Sequence, residues 1–243
     1  MTQSIRDLEN TFVRSAGLLW RNPIVLVPGL VLALINAGLG MGLRALAQSY
    51  VLFGPTGNAN IGYARSIGLA ILAALLSLLI SLVQMLFVTG MAMAAWRKTR
   101  ASLRDGFEML SRRWLQMIGL LAALFALGVC AAPLAPFTFG ISLIAYIFFC
   151  LYAVPAVTIG LHDPIASIVE SGQLALENAW PTLAVVGLFF GIAFLTGLLS
   201  ALFSATPPLV RGIFDALLEQ LTVCYVVFVV VGEYLKLRHT QES

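Results

Sequence analysis

Three ionisable residues in the last long apolar run are spaced to act together. Arg211, Asp215 and Glu219 recur at i, i+4 and i+8, so on a helix they line one face with an acid one turn from the arginine. If hydrocarbon begins at Ile213, Glu219 lies about 9 Å inside it at about 1.5 Å per residue. An ionisable side chain at that depth is costly without a partner and marks a functional site by default. The chemistry on offer is proton uptake or the binding of a cationic solute. The competing reading is that the helix up to Gln220 projects from the membrane, which leaves these groups solvated. Glu233, close in sequence to Lys236 and Arg238, is expected to be their solvated neighbour.

The rest of the chain offers little chemistry. His162 and His239 fall at the edges of apolar runs, which argues against paired ligation of an intramembrane haem, and no HExxH or GxSxG arrangement accompanies them. Cys130, Cys150 and Cys224 lie inside apolar runs without a CxxC or a pairing framework. Asn36, Gln84 and Thr89 are isolated polar residues in apolar surroundings, suited to hydrogen bonds between helices. Gly38 and Gly42 form a lone GxxxG, and Gly54-Pro55-Thr56-Gly57 lacks the lysine of a phosphate loop and reads as a turn. Neither a catalytic residue nor a cofactor or metal site is expected.

Composition explains why. The 243 residues are 60% hydrophobic and 10% charged, with a mean hydropathy of +0.96. A water-soluble domain carries about a quarter charged residues, so the chain is expected to be an all-α polytopic membrane protein. Long continuous runs exclude the short alternating segments of a barrel. A net charge of +3, concentrated in one stretch, suits anionic lipid headgroups and not nucleic acid.

Six spans of about twenty residues, the length that crosses roughly 30 Å of hydrocarbon, are expected near 24–46, 67–95, 115–132, 139–161, 180–203 and 213–235. Pro155 is a candidate kink in the fourth. An amphipathic interface helix is expected ahead of the first, third and fifth spans. In 4–21, Ile5, Leu8, Phe12, Ala16 and Leu19 share a face. Asn22-Pro23 ends that helix, because a residue before proline is driven out of the α region. In 102–114, Leu103, Phe107, Leu110 and Trp114 share a face, and Ser102 with Asp105 makes a capping box. In 164–179 the start is set by Asp163 as N-cap and Pro164 at the first helical position. No cleavable leader is expected ahead of the first span.

The stretch 97–114 holds Arg97, Lys98, Arg100, Arg104, Arg112 and Arg113, six of the fourteen Lys and Arg residues, and these are the candidate headgroup contacts. Eleven basic residues fall on the side of the termini and this loop, and three (Arg44, Arg65 and Arg211) on the other. The positive-inside rule then places both termini in the cytoplasm of a cell with an inner membrane.

Interface helix, span, turn and span recur in units of about 4–95, 102–161 and 163–237, within a single membrane domain covering 1–243. Trp20, Trp114 and Trp180 mark the pivots, and a Ser-apolar-x-acid step appears at Ser4, Ser102 and Ser167. With the closing Tyr234-Leu235-Lys236-Leu237-Arg238, this pattern resembles uncharacterised bacterial multi-pass membrane proteins similar to the membrane domain of glycerophosphodiester phosphodiesterases. The resemblance implies a helical membrane fold and no catalytic residue, since the soluble phosphodiesterase domain has no counterpart here. The expected function is non-enzymatic: a scaffold, an interaction partner of another membrane protein or of itself, or a modulator of the bilayer. The alternative is a small-solute or proton-coupled transporter using Asp215 and Glu219.

Overall fold

In a computed structural model, the backbone is described for residues 2–35, 38, 39, 42, 59–134, 136–138, 140–203 and 208–242. The side chains of 2–9, 59–67, 70, 74, 78, 208, 209, 211, 212 and 239–242 lie outside that description, as does Asn36. Among the described residues the regular structure is helical and no strand occurs. The helices are α1 (Thr2–Arg21), α2 (Pro23–Ile35, opening with a 3-10 turn), α3 (Ala59–Lys98), α4 (Leu103–Ala131), α5 (Ile141–Cys150), α6 (Ala153–Thr158), α7 (Pro164–Glu177), α8 (Ala179–Leu202) and α9 (Pro208–Glu242). Among the described residues, five stretches are long and apolar enough to cross a membrane, and a sixth is added if the bent pair of α1 and α2 counts as one span.

The first and third expected interface helices are set off from the apolar helix that follows, each by an asparagine in nearly the same conformation. Asn22 has φ −125° and ψ 59°, and Asn178 has φ −122° and ψ 48°. Each side-chain amide donates back to the carbonyl four residues earlier, Leu18 at 2.8 Å and Leu174 at 3.2 Å. Beyond Asn22 the chain turns by 84°.

The second unit differs from expectation. α4 runs from Leu103 to Ala131 with no break at Trp114, so the basic amphipathic stretch is the first three turns of the apolar helix itself. No proline or helix-breaking asparagine stands at this junction, and helical hydrogen bonding continues through it. Its start is as expected: the Ser102 hydroxyl accepts from Asp105 N at 3.4 Å, and Asp105 Oδ2 accepts from Ser102 N at 2.9 Å. Asp163 does precede Pro164 at the start of α7, but its side chain makes no capping bond. Ser167 lies inside α7 and donates to the Asp163 carbonyl at 2.8 Å, so its step is not a capping box.

The kink at Pro155 takes the form of a short interruption inside one apolar stretch, Ile141–Thr158. Proline has no N–H for the Leu151 carbonyl and its ring crowds it, and the helix is interrupted at Leu151 and Tyr152 between α5 and α6. Ser171 of α7 fills the gap, its hydroxyl accepting from Tyr152 N at 3.0 Å and donating to the Phe149 carbonyl at 2.7 Å.

The packed core lies toward one end of the bundle. In α3 the buried residues start at Leu82 and reach Ala95, while Ile71, Leu72, Leu75 and Leu79 are exposed. In α9 they run from Gln220 to Leu237, while Val210, Ile213 and Leu217 are exposed. One cluster joins α1, α3 and α9 around Met91 and Phe228, a second joins α6, α7, α8 and α9 around Tyr152 and Tyr234, and a third joins α3, α4 and α6 around Leu86 and Leu120. α1 packs on α9 with Thr11, Ser15 and Leu18 buried, while Ala16 is exposed. Its packed face thus adds Thr11 and Ser15 to Phe12 and Leu19 of the apolar stripe.

Candidate functional site

The α3–α4 corner is built by Asn22. Its amide donates to the Thr99 carbonyl at 3.2 Å, and its Oδ1 accepts from Ala101 N at 2.8 Å. Thr99 sits in the left-handed region at φ 62°, a conformation that ends a helix but is uncommon for a β-branched residue. The clamp therefore fixes the direction in which the corner projects. Arg97, Lys98, Arg100, Arg104 and Arg112 are exposed, and Arg113 is half-buried on the packed side of α4 with Met109 and Met117.

Two carboxylates answer these charges. Lys98 Nζ lies 3.9 Å from Asp105, and Arg112 Nη2 lies 2.8 Å from Glu108. Both basic partners have side chains 73% exposed, so each pair is worth at most about 1 kcal/mol and leaves the surface cationic. Aromatic side chains stand beside it: Trp20 is 89% exposed, Phe107 61% and Trp114 52%. Leu110, expected on the same stripe as Phe107 and Trp114, instead packs into the core.

Glycines set the distance between α3 and α4. A Cβ on Gly90 would lie 2.7 Å from Met109 Cβ and 2.8 Å from the Asp105 carbonyl, and one on Gly106 would enter the Phe87 ring. Toward Leu79 a groove of about 440 Å³ opens between Leu79, Leu82 and Val83 of α3 and Leu110, Ser111 and Trp114 of α4, with Ile118 also lining it.

The acids singled out from spacing are not brought to this corner. Asp215 is half-buried, Glu219 is exposed, and the Arg211 side chain is outside the described residues. The inward position on that turn belongs to Gln220, which is buried against Gly29 and accepts from Gln84 Nε2 at 2.6 Å. Gln84 thus makes the interhelical bond its isolation suggested.

A second polar site escaped the sequence reading. Glu233 is not solvated: it is 0% exposed, with Lys236 Nζ at 3.8 Å. The missed signal is periodic, since Val226, Val230, Glu233 and Leu237 fall at steps of four, three and four on the packed face of α9. On the next turn face, Tyr234 donates to Glu170 Oε1 at 3.0 Å, and His162 Nε2 lies 2.9 Å from Glu170 Oε2. Gly160 makes room, because a Cβ there would meet the Tyr234 hydroxyl. Nearby, Tyr152 and Thr182 share a hydrogen bond of 3.3 Å. A carboxylate held between a phenol and a partly exposed imidazole can orient or pass a proton, and it ties α7 and the loop before it to α9. Among the described residues, no group of three or more His, Cys, Asp or Glu side chains is placed to hold a metal ion.

The fold and site define a helical, membrane-type protein with a cationic, aromatic-flanked corner. No protein-family model, curated protein or solved structure matches the chain.

Proposed function

We propose that the chain is a non-enzymatic integral membrane protein of an inner membrane, acting as a scaffold, interaction partner or bilayer modulator through the α3–α4 corner. The observation that carries this reading is the corner itself. Exposed cations, two of them answered by carboxylates among the described residues, lie beside exposed Phe107 and Trp114 at the start of a helix long and apolar enough to cross a membrane. Such a surface favours anionic headgroups by about 1 kcal/mol per basic residue. With both termini and the corner on the cytoplasmic side, as the eleven-to-three distribution of basic residues favours, the lipid in question is that of the inner leaflet. The likeness to the membrane domain of glycerophosphodiester phosphodiesterases belongs to this proposal and adds no catalytic residue. For the transport alternative, a substrate path would have to reach Asp215 or Glu219, and Glu219 is exposed.

The test is the lipid selectivity of the purified protein in bilayers of phosphatidylglycerol and phosphatidylcholine, measured with spin-labelled lipids. Neutralising Arg97, Arg100 and Arg104 to glutamine should remove most of the preference for phosphatidylglycerol, up to about 3 kcal/mol in all. Unchanged selectivity would end the reading.

A further inference from the structure

We propose that the α3–α4 groove seats one acyl chain of an anionic phospholipid whose phosphate lies at Arg104. This rests on the anionic-lipid reading of the corner and goes beyond it, from a diffuse preference to a single site.

The order of side chains along one edge of α4 matches the order of polarity in such a lipid. Arg104 and Ser111 are seven residues apart, which on a helix is a displacement of about 10 Å along the axis and only about 20° around it. Between them on the same edge stands Phe107, exposed but held edge-on by Phe87 with ring centroids 4.8 Å apart. Cation, aromatic ring and apolar groove therefore succeed one another, as phosphate, glycerol backbone and chain do in the ligand, while the Ser111 hydroxyl between them donates to the Glu108 carbonyl at 3.0 Å.

Charge supports the assignment. Asp105 and Glu108, the acids nearest Arg104 in sequence, are engaged by Lys98 and Arg112. Among the described residues Arg104 itself makes no ion pair, which leaves its guanidinium open to a lipid phosphate. Shape selects a chain over a protein segment. A groove of about 440 Å³ falls within the ligand-pocket range of about 300–1,000 Å³. A helix about 10 Å across does not enter between two helices pinned together at Gly90 and Gly106.

The test uses the full chain, purified in mild detergent with equal phosphatidylglycerol and phosphatidylethanolamine, and counts retained lipid by native mass spectrometry. The wild type should keep one phosphatidylglycerol with a preference of about fivefold for each cation engaged. Arg104→Gln should keep a lipid but lose most of that preference, and Ser111→Trp, which fills the groove, should lose the lipid whatever its headgroup. Retention of one phosphatidylglycerol by a folded Ser111→Trp protein overturns the proposal, as does an undiminished preference in Arg104→Gln. Should Ser111→Trp not fold, wild-type protein is photolabelled with a phosphatidylglycerol carrying a diazirine in its chain. Labels concentrated at Val83 and Ile118 support the seat, and labels spread equally over the exposed face of α8 overturn it. The Arg97→Gln/Arg100→Gln variant separates the two readings: loss of bulk lipid selectivity with the tightly held lipid retained keeps both. Bulk selectivity that depends on those arginines, alongside a Ser111→Trp protein that holds its lipid, leaves only the surface reading.

Discussion

Gly232→Ala is a substitution for which local preference and packing predict opposite signs. In the middle of α9, alanine should stabilise the helix by about 0.5–1 kcal/mol over glycine. A Cβ at Gly232, however, would enter the Trp96 indole, 2.6 Å from Cε2 and 3.0 Å from Cη2. The ring is rigid and held from both sides. Its Nε1 donates to the Phe228 carbonyl at 2.9 Å, and the Arg14 guanidinium lies 4.6 Å from its centroid. If the ring stays, overpacking costs about 1–3 kcal/mol. If it swings away, a hydrogen bond of about 1 kcal/mol and a cation–π contact of about 0.5–1 kcal/mol are lost. Set against the propensity gain either route leaves a net cost, so Gly232→Ala should destabilise by about 0.5–1.5 kcal/mol. The assay is reversible unfolding in mixed micelles followed by circular dichroism. In a Trp96→Leu background the obstacle is gone, and the same substitution should become neutral or stabilising. Stabilisation in the wild-type background, or an equal cost in both, would refute the claim that Trp96 locks α1 and α3 onto α9.

Three further outcomes follow from hydrogen bonds between elements. Ser171→Ala leaves the Tyr152 N–H and the Phe149 carbonyl without their hydroxyl, and should cost about 2–4 kcal/mol in the same unfolding assay. Gln84→Leu strands the buried Gln220 amide and should cost about 1–3 kcal/mol, whereas Gln84→Leu with Gln220→Leu should recover most of it in a double-mutant cycle. Asn22→Ala removes both bonds to the α3–α4 corner and should speed proteolysis near Arg100 severalfold before global stability falls, as limited trypsin digestion would show.

Much of the helical layout was legible because its signals are local. Length and apolar continuity place the runs that became α3, α8 and α9; Asn22-Pro23 marks a true break and Pro155 a local interruption. The capping box at Ser102 is a four-residue pattern and forms as expected. What the sequence hid depends on neighbours. Glu233 looks solvated beside Lys236 and Arg238 until α9 is packed, when its place in the 226–237 periodicity puts it inside. Arg211, Asp215 and Glu219 share a helix face, but spacing says nothing about which way that face turns, and Gln220 took the inward position. Trp20, Trp114 and Trp180 hold equivalent places in the repeat, but only Trp20 and Trp180 have an asparagine nearby to interrupt the helix.

That last difference has a mechanical meaning. At Asn178 a lateral push on the preceding helix can be absorbed by two backbone dihedrals, whereas at Asn22 the bonds to Thr99 and Ala101 pass it on to the corner. α4 has no such joint: it is a rod of about 43 Å, clamped to α3 at Gly90 and Gly106 near one end. A shift of the corner is carried along this rod to Met117 and Leu120, where α4 meets α3 and α6, so the middle segment is the lever of the assembly.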